Sequence, residues 1–152
     1  NYYQAFYSIG SLYLSEGKLN EAQDALNNAV RIEPTYSKAY SVLGIIEQEL
    51  GNIDASIQHY LRAIEYDEKA YAIYYRLSNV YNINKQYTNA KNSAKQSLNI
   101  KRNYAPAYFE LGLAEKLLGN KIAAKDAFNK AKKDRHWRKS AQFELDLISK
   151  GL

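Results

Sequence analysis

Cysteine is absent from the 152 residues, and with it go disulfides, thiolate metal sites and cysteine nucleophiles. The absence does not choose a compartment, because cysteine-free chains occur everywhere. Histidine occurs twice, as His59 and His136, and neither has a second His or a paired carboxylate at ligand spacing. Both read as surface or interfacial imidazoles. The seven glycines are scattered along the chain instead of gathered into a loop that cradles phosphate. No run of eighteen apolar residues exists, so nothing in the sequence inserts into a membrane. The start, Asn1-Tyr2-Tyr3-Gln4, has no basic stretch, no apolar stretch and no Met. It reads as the edge of a piece of a longer protein, so the lack of a targeting signal excludes little.

What is present is periodicity. Rows beginning at Tyr3, Ser37, Tyr71 and Ala105 align without a gap at a spacing of 34 residues. Their fourth places are Phe6, Tyr40, Tyr74 and Tyr108, in a chain that is 13% aromatic. Their seventh places are Ile9, Leu43, Leu77 and Leu111, and their eighth Gly10, Gly44, Ser78 and Gly112. Three columns of this kind are not coincidence. They mark a stack of one supersecondary unit, whose function lies on an extended surface.

Each row divides into two helices. In the first, Phe6, Ile9, Gly10 and Tyr13 recur at helical spacing, Gly17 breaks the run, and Leu19, Ala22, Leu26 and Ala29 begin another. Gly51-Asn52 and Gly119-Asn120 pair a left-handed helix end with an N-cap. In the third row Asn84 is the residue type best suited to the left-handed position. Pro34 and Pro106 stand at row junctions, where a missing N–H is tolerated. Small columns (Ala22, Ser56, Ala90, Ala124; Ala29, Ala63, Ser97, Ala131) flank a mostly large one (Leu26, Tyr60, Ala94, Phe128), so successive helices can interdigitate. The class is all-α.

These rows resemble the tetratricopeptide repeat, whose pattern runs aromatic, Leu, Gly, Tyr, then Ala, Phe, Ala and a closing Pro. The resemblance covers residues 3 to 138. It implies an α-solenoid of four helix-turn-helix repeats (3–36, 37–70, 71–104, 105–138) in a right-handed superhelix, all within a single domain, 1–152. Pro34 keeps the closing proline, whereas Glu68, Arg102 and His136 replace it. The third row departs most, at Ser78, Ala94 and Ser97, and is expected to pack least tightly. Residues 139–150 begin a fifth row in which Gln142 and Asp146 replace the aromatic and the small residue. An unpaired carboxylate at Asp146 would be too costly to bury, so this is a capping helix with Leu145 and Ile148 inward. No comparable cap precedes Tyr3, which leaves room for further rows upstream.

The resemblance also implies a concave face drawn from the first helix of each row. On this chain it would carry Tyr7, Ser11, Tyr36, Ile45, Gln48, Tyr75, Asn79, Asn82, Tyr104, Phe109, Leu113 and, in the cap, Phe143. Such a groove is aromatic and neutral, with Asn79 and Asn82 offering hydrogen bonds to a peptide backbone. Aromatics at Tyr7, Tyr75 and Phe109 are more than the helix pattern needs. They mark either ligand contact or packing between adjacent rows. The carboxylate clamp that some members use to hold chaperone C-termini is missing, since no cation stands at the required places. Carboxylate pairs such as Glu47/Glu49 and Asp67/Glu68 read as solvated.

No catalytic constellation, cofactor or metal is implied, and the chain is expected to be a scaffold for a protein or peptide partner. Two other readings follow from charge. Residues 1–76 hold six Lys/Arg and ten Asp/Glu, and residues 77–152 hold fifteen and six. The halves therefore carry −4 and +9, which would allow end-to-end self-association. The run Lys130, Lys132, Lys133, Arg135, Arg138 and Lys139 would suit RNA or another polyanion. It lacks the interleaved aromatics on which bases stack, because Trp137 stands alone.

Overall fold

The computed structural model describes all 152 residues, and every regular element is a helix. Contacts group them into two compact units, Asn1–Lys69 and Ala70–Leu152. The first holds α1 (Tyr2–Ser15), α2 (Leu19–Ile32), α3 (Ser37–Glu49) and α4 (Ile53–Tyr66). The second holds α5 (Tyr71–Ile83), α6 (Tyr87–Ile100), α7 (Ala105–Leu117), α8 (Lys121–Ala131) and α9 (Arg138–Ser149). The helices form four helix-turn-helix pairs, two in each unit, and α9 caps the last pair.

The size alternation read from the rows is what closes each pair. A Cβ added at Gly10 would meet Leu26 Cγ at 2.7 Å, one at Gly44 would meet Tyr60 Cε1 at 2.7 Å, and one at Gly112 would meet Phe128 Cε1 at 2.6 Å. Real Cβ atoms do not tolerate such distances, so the large side chain of the second helix requires the missing one on the first. The third row exchanges the two sizes, with Ser78 opposite Ala94. It is not loose: Ser78, Ala94 and Ser97 are all fully buried. The two serine hydroxyls are satisfied across the pair, Ser78 Oγ donating to Ala90 O and Ser97 Oγ to Tyr71 O, each at 2.8 Å. The second row makes the same two bonds in reverse. There Ser56 Oγ donates to Gly44 O at 2.7 Å and Ser37 Oγ to Ala63 O at 2.8 Å.

In the first unit α3 packs on α2 through Ala22, Leu26, Ala29, Ala39, Leu43 and Ile46. The fourth-column aromatics Phe6 and Tyr40 lean on this cluster half-buried and do not enter it. In the second unit α9 covers α8 through Ala124, Phe128, Ala131, Ala141 and Ile148, with Leu145 against them. Asp146 is exposed and accepts from Gln142 Nε2 at 2.7 Å, as a solvent-facing cap requires. On α1 the equivalent columns are open: Ile9 is 44% and Leu12 57% exposed.

The turns correct two expectations. The left-handed residue of the third row is Lys85, at φ 59°, and Asn84 stays at −79°. Gly17, Gly51 and Gly119 hold the other three left-handed positions, so the row register outranks residue preference here. Asn52 and Asn120 do occupy N-cap positions, but neither side chain caps its helix. Asn52 Nδ2 turns back to Glu47 Oε2 at 2.8 Å, and Asn120 Nδ2 to Glu115 Oε2 at 2.6 Å. Their backbone N–H groups reach Glu47 O and Glu115 O, both at 2.8 Å, so each turn is clasped twice by one glutamate.

Candidate binding face

In the first unit the face of interest lies on α1 and α3. Tyr7 is half-buried, its ring edge-on to Tyr36 at 5.3 Å, and Tyr3 meets the same ring at 5.0 Å. Burial, together with Tyr7 and Tyr3 alongside, raises the Tyr36 hydroxyl above its ordinary range. Ser11, Ile45 and Gln48 are half-buried, and Ser11 Oγ is shielded from solvent without a hydrogen-bond partner.

The second unit repeats the aromatic arrangement two rows on. Tyr71 and Tyr75 stand edge-on to Tyr104 at 4.9 and 5.6 Å. Lys101 Nζ sits over Tyr71 and Tyr104, 4.4 and 5.0 Å from their ring centres, and donates to the Tyr71 hydroxyl at 3.1 Å. Phe109 lies 4.9 Å from Trp137 and 5.5 Å from Phe128. The row-end aromatic therefore supplies the partner that each fifth-place aromatic needs. Packing accounts for part of why Tyr7, Tyr75 and Phe109 are there. Phe143 differs, being 62% exposed on α9. Leu113 leans half-buried on the Phe128 cluster.

Glu110, which the sequence did not single out, organises this face. It is buried to 3% exposure on α7, and both α5 amides turn to it. Asn79 Nδ2 donates to Oε1 at 3.0 Å, and Asn82 Nδ2 to Oε2 at 2.8 Å and to the backbone O at 3.0 Å. This corrects the expectation that the two asparagines offer donors to a peptide backbone, because those donors are spent inside the protein. Burial pushes the Glu110 carboxyl above its ordinary range, and the two amides only partly oppose it. Burial also raises the Tyr75 hydroxyl, with Glu110 adding to the effect and Arg76 opposing it.

An analogous tie joins α7 to α9, where Lys116 Nζ meets Glu144 Oε2 at 3.0 Å. Asn82–Glu110 and Lys116–Glu144 are both 28 residues apart, so a donor in one row facing an acid in the next was a signal available in the sequence. A second such pair is 24 residues apart. Gln23 Nε2 donates to Glu47 Oε1 in the first unit, and Lys91 Nζ meets Glu115 Oε1 at 3.0 Å in the second. Glu47 and Glu115 are thus buried and answered, not solvated, whereas Glu49, Asp67 and Glu68 are exposed as expected.

The histidines build nothing further. His59 is half-buried 6.2 Å from Tyr40, and burial lowers its imidazole, with Glu47 opposing. His136 is exposed beside Arg135. No group of three or more His, Asp or Glu is placed to hold a metal ion, and no helix is long and apolar enough to cross a membrane.

Against known families, the tetratricopeptide repeat model matches residues 3–36, 37–69, 71–104 and 105–133. A crystal structure of MamA is 26% identical, covering 92% of this chain and 82% of its own, with a TM-score of 0.83. A MamA RS-1 double mutant reaches a TM-score of 0.84 over 95% of this chain and 83% of its own, at 21% identity, which speaks for the fold alone. A probable UDP-N-acetylglucosamine–peptide N-acetylglucosaminyltransferase SPINDLY of Hordeum vulgare is 35% identical over 79 residues. That alignment spans 47% of this chain and 8% of the barley protein.

Proposed function

The chain belongs to the tetratricopeptide repeat family, and we propose that it is a non-catalytic scaffold that captures a partner protein or peptide on the first-helix face. The observation that carries this is Phe143. It is a large aromatic left 62% exposed on the face where Tyr75 and Phe109 are packed. Exposed aromatics beside a preformed apolar floor are the usual anchors of a contact site. The floor is also tied together within the chain itself, α5 to α7 through Glu110 and α7 to α9 through Lys116–Glu144. Preorganisation of this kind lowers the ordering cost of binding. The barley relative's transferase activity is not carried over, because the shared stretch is a small fraction of that protein.

Capture of partners from the native cell by immobilised protein tests the reading. Phe143→Ala is expected to reduce capture while leaving the melting temperature in place. Charge reversal at Lys132 and Lys133 is expected to leave it intact. Partners that survive the first change and vanish with the second would place binding on the basic end instead.

A further inference from the structure

Three observations on α5, α7 and α9 narrow the occupant of this face, and they rest on the groove reading above. The first concerns hydrogen bonds. The Nδ2 donors of Asn79 and Asn82 are taken by Glu110, and Lys116 is taken by Glu144. An extended peptide needs partners for its own N–H and C=O groups, and groups desolvated without them weaken binding. A helix satisfies its own backbone and needs only an apolar surface to lie on.

The second concerns shape. Helical spacing sets Tyr75, Asn79 and Ile83 along one stripe of α5, and Phe109, Leu113 and Leu117 along the same stripe of α7. Phe143 and Leu147 continue it on α9. Ile83 and Leu117 are also exposed, at 51% and 50%, somewhat less than Phe143. The ties from Asn82 to Glu110 and from Lys116 to Glu144 hold neighbouring stripes side by side.

The third concerns charge. The second unit has sixteen Lys/Arg and six Asp/Glu, and Glu110, Glu115 and Glu144 are already bound within it. Arg76 stands in the column that holds Glu110 and Glu144 one and two rows later. It is half-buried next to Tyr75 in the chain, and the ion pairs of the unit do not include it.

We propose that the α5–α7–α9 face binds an amphipathic helix, its apolar stripe on Phe109, Leu113 and Phe143, with an acidic side chain reaching Arg76. Charge complementarity favours such a helix with acidic flanks over a basic one.

The test titrates 15N-labelled protein with three synthetic peptides. One is a stapled amphipathic helix with Leu and Phe on one stripe and Glu at its flanks. The second has the same composition with a central Pro and no staple, and the third is the stapled helix with Lys for Glu. The first is expected to shift the amides of Phe109, Leu113, Phe143 and Leu147, and to bind at least tenfold tighter than either of the others. Arg76→Glu is expected to reverse the order of the acidic and basic helices. Should that variant not fold, Arg76→Gln is expected to bring the two closer to parity. If the Pro-containing peptide binds the same residues as tightly, the helix inference is wrong while the groove reading stands. If neither Arg76 variant alters the acid preference, the Arg76 contact is wrong. If no peptide shifts these residues, or shifts appear only along Lys130–Lys139, both readings fall together.

Discussion

Asn120 donates its side-chain amide to the Glu115 carboxylate five residues earlier, at 2.6 Å, and Lys91 meets the same carboxylate from α6 at 3.0 Å. One buried acid thus fixes the turn of its own row and the seam with the row before. Asn52, Glu47 and Gln23 do the same in the first unit. Glu115→Ala strips acceptors from Asn120 and Lys91, and should cost about 1–3 kcal/mol in urea unfolding. An unchanged midpoint would mean that water replaces the carboxylate there.

Glu115 and Glu110 should respond to pH in opposite senses. Burial works to raise the Glu115 carboxyl, but Asn120 and Lys91, with Lys95 further off, outweigh it and hold it below the ordinary range. Folding therefore favours its ionised form. That contribution is present above the unfolded value of about 4.5 and is lost as pH falls through the lower folded value. Glu110 is raised by burial, so the fold prefers its protonated form. Its ionisation weakens the fold at neutral pH, and the penalty is relieved as pH falls through the raised value toward about 4.5. Urea unfolding of Glu110→Gln at pH 7 and pH 5 should show less gain on acidification than the parent. An equal gain in both would remove Glu110 as its source.

Gly112 and Phe128 should be coupled. A methyl at position 112 collides with the Phe128 ring, so Gly112→Ala is expected to cost about 1–3 kcal/mol. In a Phe128→Ala background that cost should disappear, as the natural pairing of Ser78 with Ala94 implies. A double-mutant cycle with no coupling would contradict the steric account.

Lys85→Gly should stabilise by about 0.5–1 kcal/mol, because Lys85 holds a left-handed backbone that glycine adopts without strain. The same residue shows how the sequence could be misread. Asn84 is the better residue type, but the register of Gly17, Gly51 and Gly119 points one place on, to Lys85. Helix pairs, core columns and the polar outer side of α9 were legible because they follow from period and size alternation. Glu47, Glu110 and Glu115 were not, because an acid in a helix looks solvated until the donor two dozen or more residues away is brought against it. Tyr75 and Phe109 looked surplus to folding for the same reason. Their partners Tyr104 and Trp137 sit at the far end of the row.

Removal of residues 138–152 should expose Ala124, Phe128 and Ala131 and drive aggregation, measured by light scattering at matched concentration. A truncated chain that stays monomeric with the same melting temperature would contradict the capping role of α9.

Photo-crosslinking from position 143 reads the binding face most directly. Protein carrying a photoreactive phenylalanine there, or in place of Lys132 on the basic end, would be irradiated in the cell that makes it. Adducts to a partner protein from position 143 and few from position 132 are the expected result. Adducts from position 132 alone, or nucleic acid attached there, would contradict a partner held on α5, α7 and α9.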